Sequence, residues 1–451
     1  MPSRPVISLS SFPRSLEKAM PRLVATFALL LVGACSTAMT FALEPSSNDW
    51  PQWRGPNRDN KSSQTGLLTS WSQTGPKLAW KLEGMGEGYA SVSVVGNRLY
   101  TTGNIDDAQR VICVDLASQK VLWAQALTEK NPKHGYDGSR CTPSVDGDRL
   151  YVVSSNGQIS CLRAEDGSIV WKKDFNKEWR GRMMSGWGYS ESPLVDGDLV
   201  LCTPGSSEAM IVALNKMTGE EVWRSAVPDQ GEAGKPGAGY SSIIVSNGAG
   251  VKQYVQLIGR GLVGVRASDG KHLWSYNRIA NGTADIPTPI AQGDYVFGSS
   301  GYGDGGSGLL KLVKDGDDVK AVEQYYKPGK ELQNHHGGMV LVGDHLYFGH
   351  GHNKGFPVCV DLLSGEKKWE GNSRDIGNGS AAITYADGHI VFRYQSGAVA
   401  LVEATPSEFR LKGVFKPEVQ IRESWAHPVI CNGKLYLREQ NTLMCYDVAK
   451  N

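Results

Sequence analysis

The chain has no Cys-x-x-Cys, no two adjacent cysteines, and only eight cysteines in 451 residues. Those absences count against a zinc ribbon and against a redox dithiol. Helical periodicity is nearly missing beyond residue 42, so little or no helix is expected. Neither sign of charge is in excess, since 47 Lys and Arg face 46 Asp and Glu. Removing Met1–Ala42 leaves the remainder close to neutral, and nothing in it recruits nucleic acid or an anionic membrane.

The run Leu23–Val32, preceded by Arg4, Arg14, Lys18 and Arg22, is too short to span a bilayer and has the form of a secretory signal. Two cleavage patterns follow it. Val32-Gly33-Ala34-Cys35 fits a lipoprotein box, and Thr40-Phe41-Ala42 fits ordinary small-residue cleavage. The first would place a lipid anchor on Cys35, the sole expected route to a membrane. The second would release a free monomer to the periplasm or cell envelope. Residues 1–42 are therefore set apart as a signal, 43–76 as an N-terminal arm, and 77–451 as one repeat domain.

What the chain does have is glycine, 54 of them, recurring in Asp-Gly turns that make the backbone reverse. One unit repeats: an apolar strand, a Gly turn, a strand ending in Tyr or Phe, a loop, an apolar strand, another Gly turn, then Trp. Thr142–Tyr151 leading to Cys161–Trp171 is a clear copy, and Ser192–Val200 leading to Ala213–Trp223 is another. Trp80, Trp123, Trp171, Trp223, Trp274 and Trp369, with aromatic stand-ins near Tyr325 and Phe409, mark eight units of about 40 to 52 residues. Each reads as a four-stranded antiparallel blade, giving an all-β, eight-bladed β-propeller. The last unit stops at Cys445-Tyr446-Asp447 before any Trp, whereas Trp80 has no blade before it. The strand near Trp80 should therefore close the last blade and leave no open edge. Cys113, Cys161, Cys359 and Cys445 hold one repeat position and read as buried core thiols.

Ala267–Trp274 and Val360–Trp369 resemble the Ala-x-Asp-x-x-Thr-Gly-Lys-x-x-Trp repeat of pyrroloquinoline-quinone (PQQ) dehydrogenases and their non-enzymatic relatives, among them the outer-membrane assembly lipoprotein. The resemblance covers residues 50–451. The opening Asp49-Trp-Pro-Gln-Trp-Arg-Gly-Pro-Asn57 is similar to that of secreted bacterial propellers, some labelled polyvinyl-alcohol dehydrogenases. In the dehydrogenases the resemblance implies PQQ stacked between a Trp and a disulfide of adjacent cysteines, calcium held by Glu and Asn, and an Asp base. The adjacent cysteines are missing here, which favours a binding or scaffold module over the enzyme.

Residues before each first strand share a face with the loop between the second and third strands, the face where propellers commonly bind ligands. Alignment of the repeats puts Tyr89, Arg140, Trp187, Tyr189, Glu191, Tyr240, Asp285, Trp425 and His427 there. They would offer rings for stacking and charges for a quinone, a sugar or an envelope partner. In the dehydrogenase alternative, Trp187 or Trp425 would stack PQQ, and Glu191 or Asp285 would hold calcium or act as base. His335, His336, His350 and His352 fall on the same face and could converge on a transition metal, with Asp304 or His427 as further ligands. Gly301–Gly306 matches G-x-G-x-x-G, but no helix follows it and it reads as a loop. Asp146, Asp166, Asp196, Asp269, Asp315 and Asp387 precede glycines and are expected to bond their own turns. The insertion Asp174–Trp187 is read either as a partner or substrate surface or as a lid on its own blade.

Overall fold

The computed structural model describes residues 46, 48–229, 231–372, 374 and 376–450. The expected signal, and Cys35 as the expected site of an anchor, lie outside them. The chain forms eight four-stranded antiparallel sheets. In seven of them the strands follow chain order; in the eighth, Val429–Cys431, Lys434–Glu439 and Thr442–Asp447 are completed by Lys77–Glu83. Trp80 pairs with Cys445, the closure expected from the repeat. First strands of neighbouring blades approach one another around the centre. The one α-helix among the described residues, Phe175–Trp179, lies in the insertion and is capped by Asp174.

The repeat motif works by docking each blade on the next. Trp171 on a fourth strand stands opposite Cys161, and Trp123 and Trp369 stand opposite Cys113 and Cys359, so a small thiol leaves room for an indole. All seven described cysteines are free and buried. Burial pushes the Cys113 and Cys161 thiols up to about 12, which keeps them protonated and inert.

Trp171 Nε1 and the Tyr151 hydroxyl both donate to the Lys216 carbonyl of the next blade, at 3.0 and 3.1 Å. The Lys216 amine returns to Asp146 at 2.6 Å. Asp196 likewise takes Lys252 at 2.6 Å and the Tyr254 hydroxyl at 2.7 Å. Asp166 and Asp269 do cap their own turns. Asp146 and Asp196 correct the expectation, because their turns bring them within reach of the next blade.

Gly219 lies under the Trp171 ring with φ +74°, and a Cβ there would sit 2.7 Å from Trp171 Cδ2. Gly219→Ala should therefore cost about 1–3 kcal/mol, from left-handed strain plus a displaced indole. A urea midpoint unchanged from wild type would refute this account of the docking.

At the centre, short hydroxyl side chains before the first strands tie blades together: Thr142 N donates to Ser192 Oγ, Ser192 N to Ser242 Oγ, and Ser242 N to Thr288 Oγ1, at 3.0–3.1 Å. The N-terminal arm passes across this centre. Trp50 bridges Val94, Val145 N donates to the Pro51 carbonyl, and Lys61 bridges Tyr385. Arg54 donates to the Thr288 and Met339 carbonyls at 3.3 and 2.6 Å, Arg58 to Pro193 and Ser192 at 3.0 and 2.7 Å, and Asn60 to Ile383 at 2.7 Å. Arg54, Arg58 and Asn60 all have positive φ, so this segment is tightly coiled and their side chains radiate to four blades.

Candidate functional site

Two cavities flank the arm. Chain order in three blades shows that they lie at opposite ends of the channel: Ser242, Thr288 and Gly338 line one, whereas Ile244, Ile290 and Leu341, further along the same first strands, line the other. Arg54 belongs to both walls and forms the partition.

The cavity at the start of the first strands has a volume of about 330 Å³. Its wall contains Tyr89, Arg140, Trp187, Tyr240, Trp425 and His427 from the sequence reading, all before first strands, and His335 and His336, which begin the first strand Asn334–Val342. It also contains Trp53 and Arg54 from the arm, Tyr136 from the approach to the second blade, and Tyr302, Asn353 and Gln395 from loops between second and third strands. The resulting aromatic belt is continuous around Trp425, whose ring centroid lies 4.8 Å from Tyr89, 4.7 Å from Tyr136 and 5.0 Å from His336. Trp187 meets Tyr240 at 5.9 Å, and Trp53 meets His427 at 4.5 Å. Trp425 is oriented by a 3.0 Å bond from Nε1 to Gln395.

Other expected residues are turned away. Ser190 lines the wall but Tyr189 and Glu191 do not; Ala284 and Ile286 do, but Asp285 does not. Extended chain alternates its side chains, so a one-residue step exchanges wall for interior. Tyr189 packs on Phe175 and donates to the Pro204 carbonyl at 2.9 Å. Glu191 accepts from Thr203 N and Oγ1 at 2.7 and 2.8 Å, and burial lifts its carboxyl to about 7. Asp285, fully buried, accepts from Asn281, and burial raises it well above the carboxylate range.

The histidines do not converge on a point. His350 is buried with its Nδ1 at the Gln333 backbone, and Asp304 accepts from Gly282 N at 2.9 Å. His335, His336 and His352 pack ring against ring, His335 lying 4.2 Å from His336 and 4.3 Å from His352, while His335 Nδ1 engages Ser380. Among the described residues no group of three or more His, Cys, Asp or Glu could hold a metal ion. The Asp174–Trp187 insertion is part of the wall's support, its Met183 bridging Ala238 and its helix burying Phe175 and Trp179.

Electrostatically the cavity is one-sided. Two arginines and no described Asp or Glu line it. Burial lowers Arg54 and Arg140 to about 10, which leaves both charged at neutral pH. Arg140 Nη atoms already serve the carbonyls of Gly135, Tyr136 and Trp187, at 2.7–2.9 Å. Its influence in the cavity is therefore exerted through its field, since its Nη donors are already committed.

Burial, then positive neighbours, depresses His336 and His427 to about 3, and lowers His335 strongly as well. The folded protein keeps these rings neutral while an unfolded histidine protonates near 6.5. The unfolded state thus binds more protons below that value, and stability present at pH 7 is lost as pH falls toward 3. Two such groups give a slope of about 2.7 kcal/mol per pH unit. The urea midpoint should fall between pH 7 and pH 5, and His336→Gln should make that fall shallower.

Tyr302 and Tyr136 hold left-handed φ of 63° and 54°, with Arg54 at 65°. Bulky residues in this conformation are uncommon and concentrate at ligand sites. Trp53 and Arg54 were visible in the sequence only as part of the Trp-Pro-Gln-Trp-Arg-Gly-Pro motif, and Tyr302 only inside the Gly301–Gly306 loop.

The family model described as outer membrane protein assembly factor BamB matches residues 107–371, more than half of the chain. This chain belongs to the PQQ-like repeat propeller family. Within that family, BamB of Nitrosomonas eutropha is 26% identical over 175 residues, 39% of this chain and 36% of that relative. The chain thus aligns with only about a third of that relative's length. Among solved structures, BamB from Moraxella catarrhalis superposes with a TM-score of 0.56 at 12% identity, covering 83% of this chain and 98% of that one. Quinohemoprotein alcohol dehydrogenase from Comamonas testosteroni gives 0.62 at 14% identity, covering 90% and 81%. A europium-containing methanol dehydrogenase gives 0.59 at 14%, covering 88% and 90%. Members of this fold thus include dehydrogenases and an assembly factor alike, and these likenesses at low identity establish the fold alone.

Proposed function

We propose that this protein is an exported binding module whose channel-mouth cavity takes a small, flat, anionic molecule. The observation that carries this reading is the wall itself: a belt of Trp, Tyr and His with two guanidinium groups and, among the described residues, no carboxylate. Rings supply stacking surface, and the uncompensated positive field favours negative charge on the ligand.

PQQ is a planar tricarboxylate, so the belt suits it. The carboxylates that would hold its calcium do not fit. Glu191 is committed to Thr203, and Asp285 lies behind the wall with one oxygen on Asn281. The PQQ-dependent alcohol dehydrogenase reading keeps the support of its structural neighbours, and the assembly-factor reading with an envelope partner keeps that of the family model.

Titration of the mature protein with PQQ, followed by Trp fluorescence and thermal shift, tests this. Saturable quenching that survives calcium chelation and is lost in Trp425→Ala is the expected result. Quenching that needs calcium, with dye-linked alcohol oxidation, would move the assignment to the dehydrogenase. If neither quenching nor stabilisation appears, the flat-anion reading fails.

A further inference from the structure

We infer a second binding site, for a small oxyanion-bearing molecule, in the cavity at the far end of the channel. That cavity has a volume of about 380 Å³ and is walled by the arm on one side and by three first strands on the other. The strands contribute Ile244 and Val245, Pro289–Gln292, and Leu341 with Gly343, which bring no charge. The arm contributes Arg54, Arg58 and Lys61 against the single carboxylate of Asp59.

The two guanidinium groups are almost fully buried, at 2% and 3% exposure, and in each the Nε–H has no hydrogen-bond partner. Their Nη atoms are occupied by carbonyls and by Gln52. Two charged donors left unsatisfied in one wall is a costly arrangement for a purely structural plug, because a buried unmet donor keeps its full desolvation penalty. An oxyanion beside the arm would compensate both charges. Asp59 acts on Arg54 and the buried Glu191 on Arg58, but Asp59 is itself 35% exposed and 3.8 Å from the Lys61 amine, and Glu191 does not line this cavity. Lys61 is equally exposed, so it stands where an entering ligand would meet it first, with Asn57 and Gln292 as neutral donors in the same wall.

This site is independent of the mouth cavity, since only Arg54 is shared. The test is calorimetric titration of the mature protein with inorganic phosphate and, separately, with citrate, which distinguishes phosphate-bearing from carboxylate-bearing ligands. Two conservative variants touch the far wall alone and break no buried contact. Lys61→Gln should weaken binding about threefold or more, and Asp59→Asn should tighten it by a similar factor, because each changes one charge at close range. Damage to the fold would not strengthen binding, so the opposite signs separate a site from a structural effect. Trp425→Ala should leave this binding unchanged. Failure of both anions to bind, or binding that ignores both Lys61→Gln and Asp59→Asn, overturns the inference.

Discussion

Glu439→Ala should destabilise the propeller by about 3–5 kcal/mol, the largest single effect expected in the molecule. Glu439 and Arg393 form an ion pair at 2.9 Å with both side chains 1% exposed. Glu439 also accepts from Ser424 Oγ at 2.6 Å and from the backbone N–H groups of Ile421 and Arg422 at 3.1 and 3.0 Å. Truncation would strand the Arg393 cation in the interior, where burial already lowers its pKa, and would release the segment that carries Trp425. Urea unfolding gives the loss in stability, and Trp425 emission should shift red as the aromatic belt loosens. The double variant Arg393→Met with Glu439→Leu should recover most of the loss, because the penalty comes from the lone charge more than from the missing pair. A single-variant loss below about 1 kcal/mol would contradict this account.

Arg54→Ala is the second. It removes the side chain that joins the carbonyls of Thr288 and Met339 across two blades and separates the two cavities. Two acceptors lose a charged donor, and a cost of about 2–4 kcal/mol is expected. The distinctive readout is proteolysis. Arg58 is only 3% exposed while the arm is seated, so trypsin should spare it. In Arg54→Ala the arm should lift often enough for cleavage after Arg58, and Arg54→Lys should restore protection in part. If cleavage rates match wild type, the arm is held by its other contacts and Arg54 is not its main anchor.

Much of the fold was legible because the repeat is local chemistry copied eight times. Gly-Asp turns, Trp on the fourth strand and a small residue opposite it each act within one blade or between neighbours, so one copy explains the rest. Even the closure near Trp80 could be read, since a terminal blade short of its Trp must find one. The mouth was legible in part for the same reason. Positions before the first strands align across blades, and Tyr89, Arg140, Trp187, Tyr240, Trp425 and His427 duly line the cavity. Glu191 and Asp285 miss the cavity wall by a single residue, because alternation along an extended chain decides which neighbour faces the cavity. His350 failed because its ring turns to the Gln333 backbone, leaving three packed histidines in place of a converging four.

By itself the sequence determined an all-β propeller of eight blades, its closure and the end at which residues gather, because those follow from periodicity and turn chemistry. Only the tertiary structure decided that the arm crosses the channel, that Trp53 and Arg54 belong to the mouth, and that no carboxylate among the described residues lines the wall. Those depend on contacts between Arg54 and residues 234 and 285 positions away, and no local pattern encodes where a non-repeating segment comes to rest.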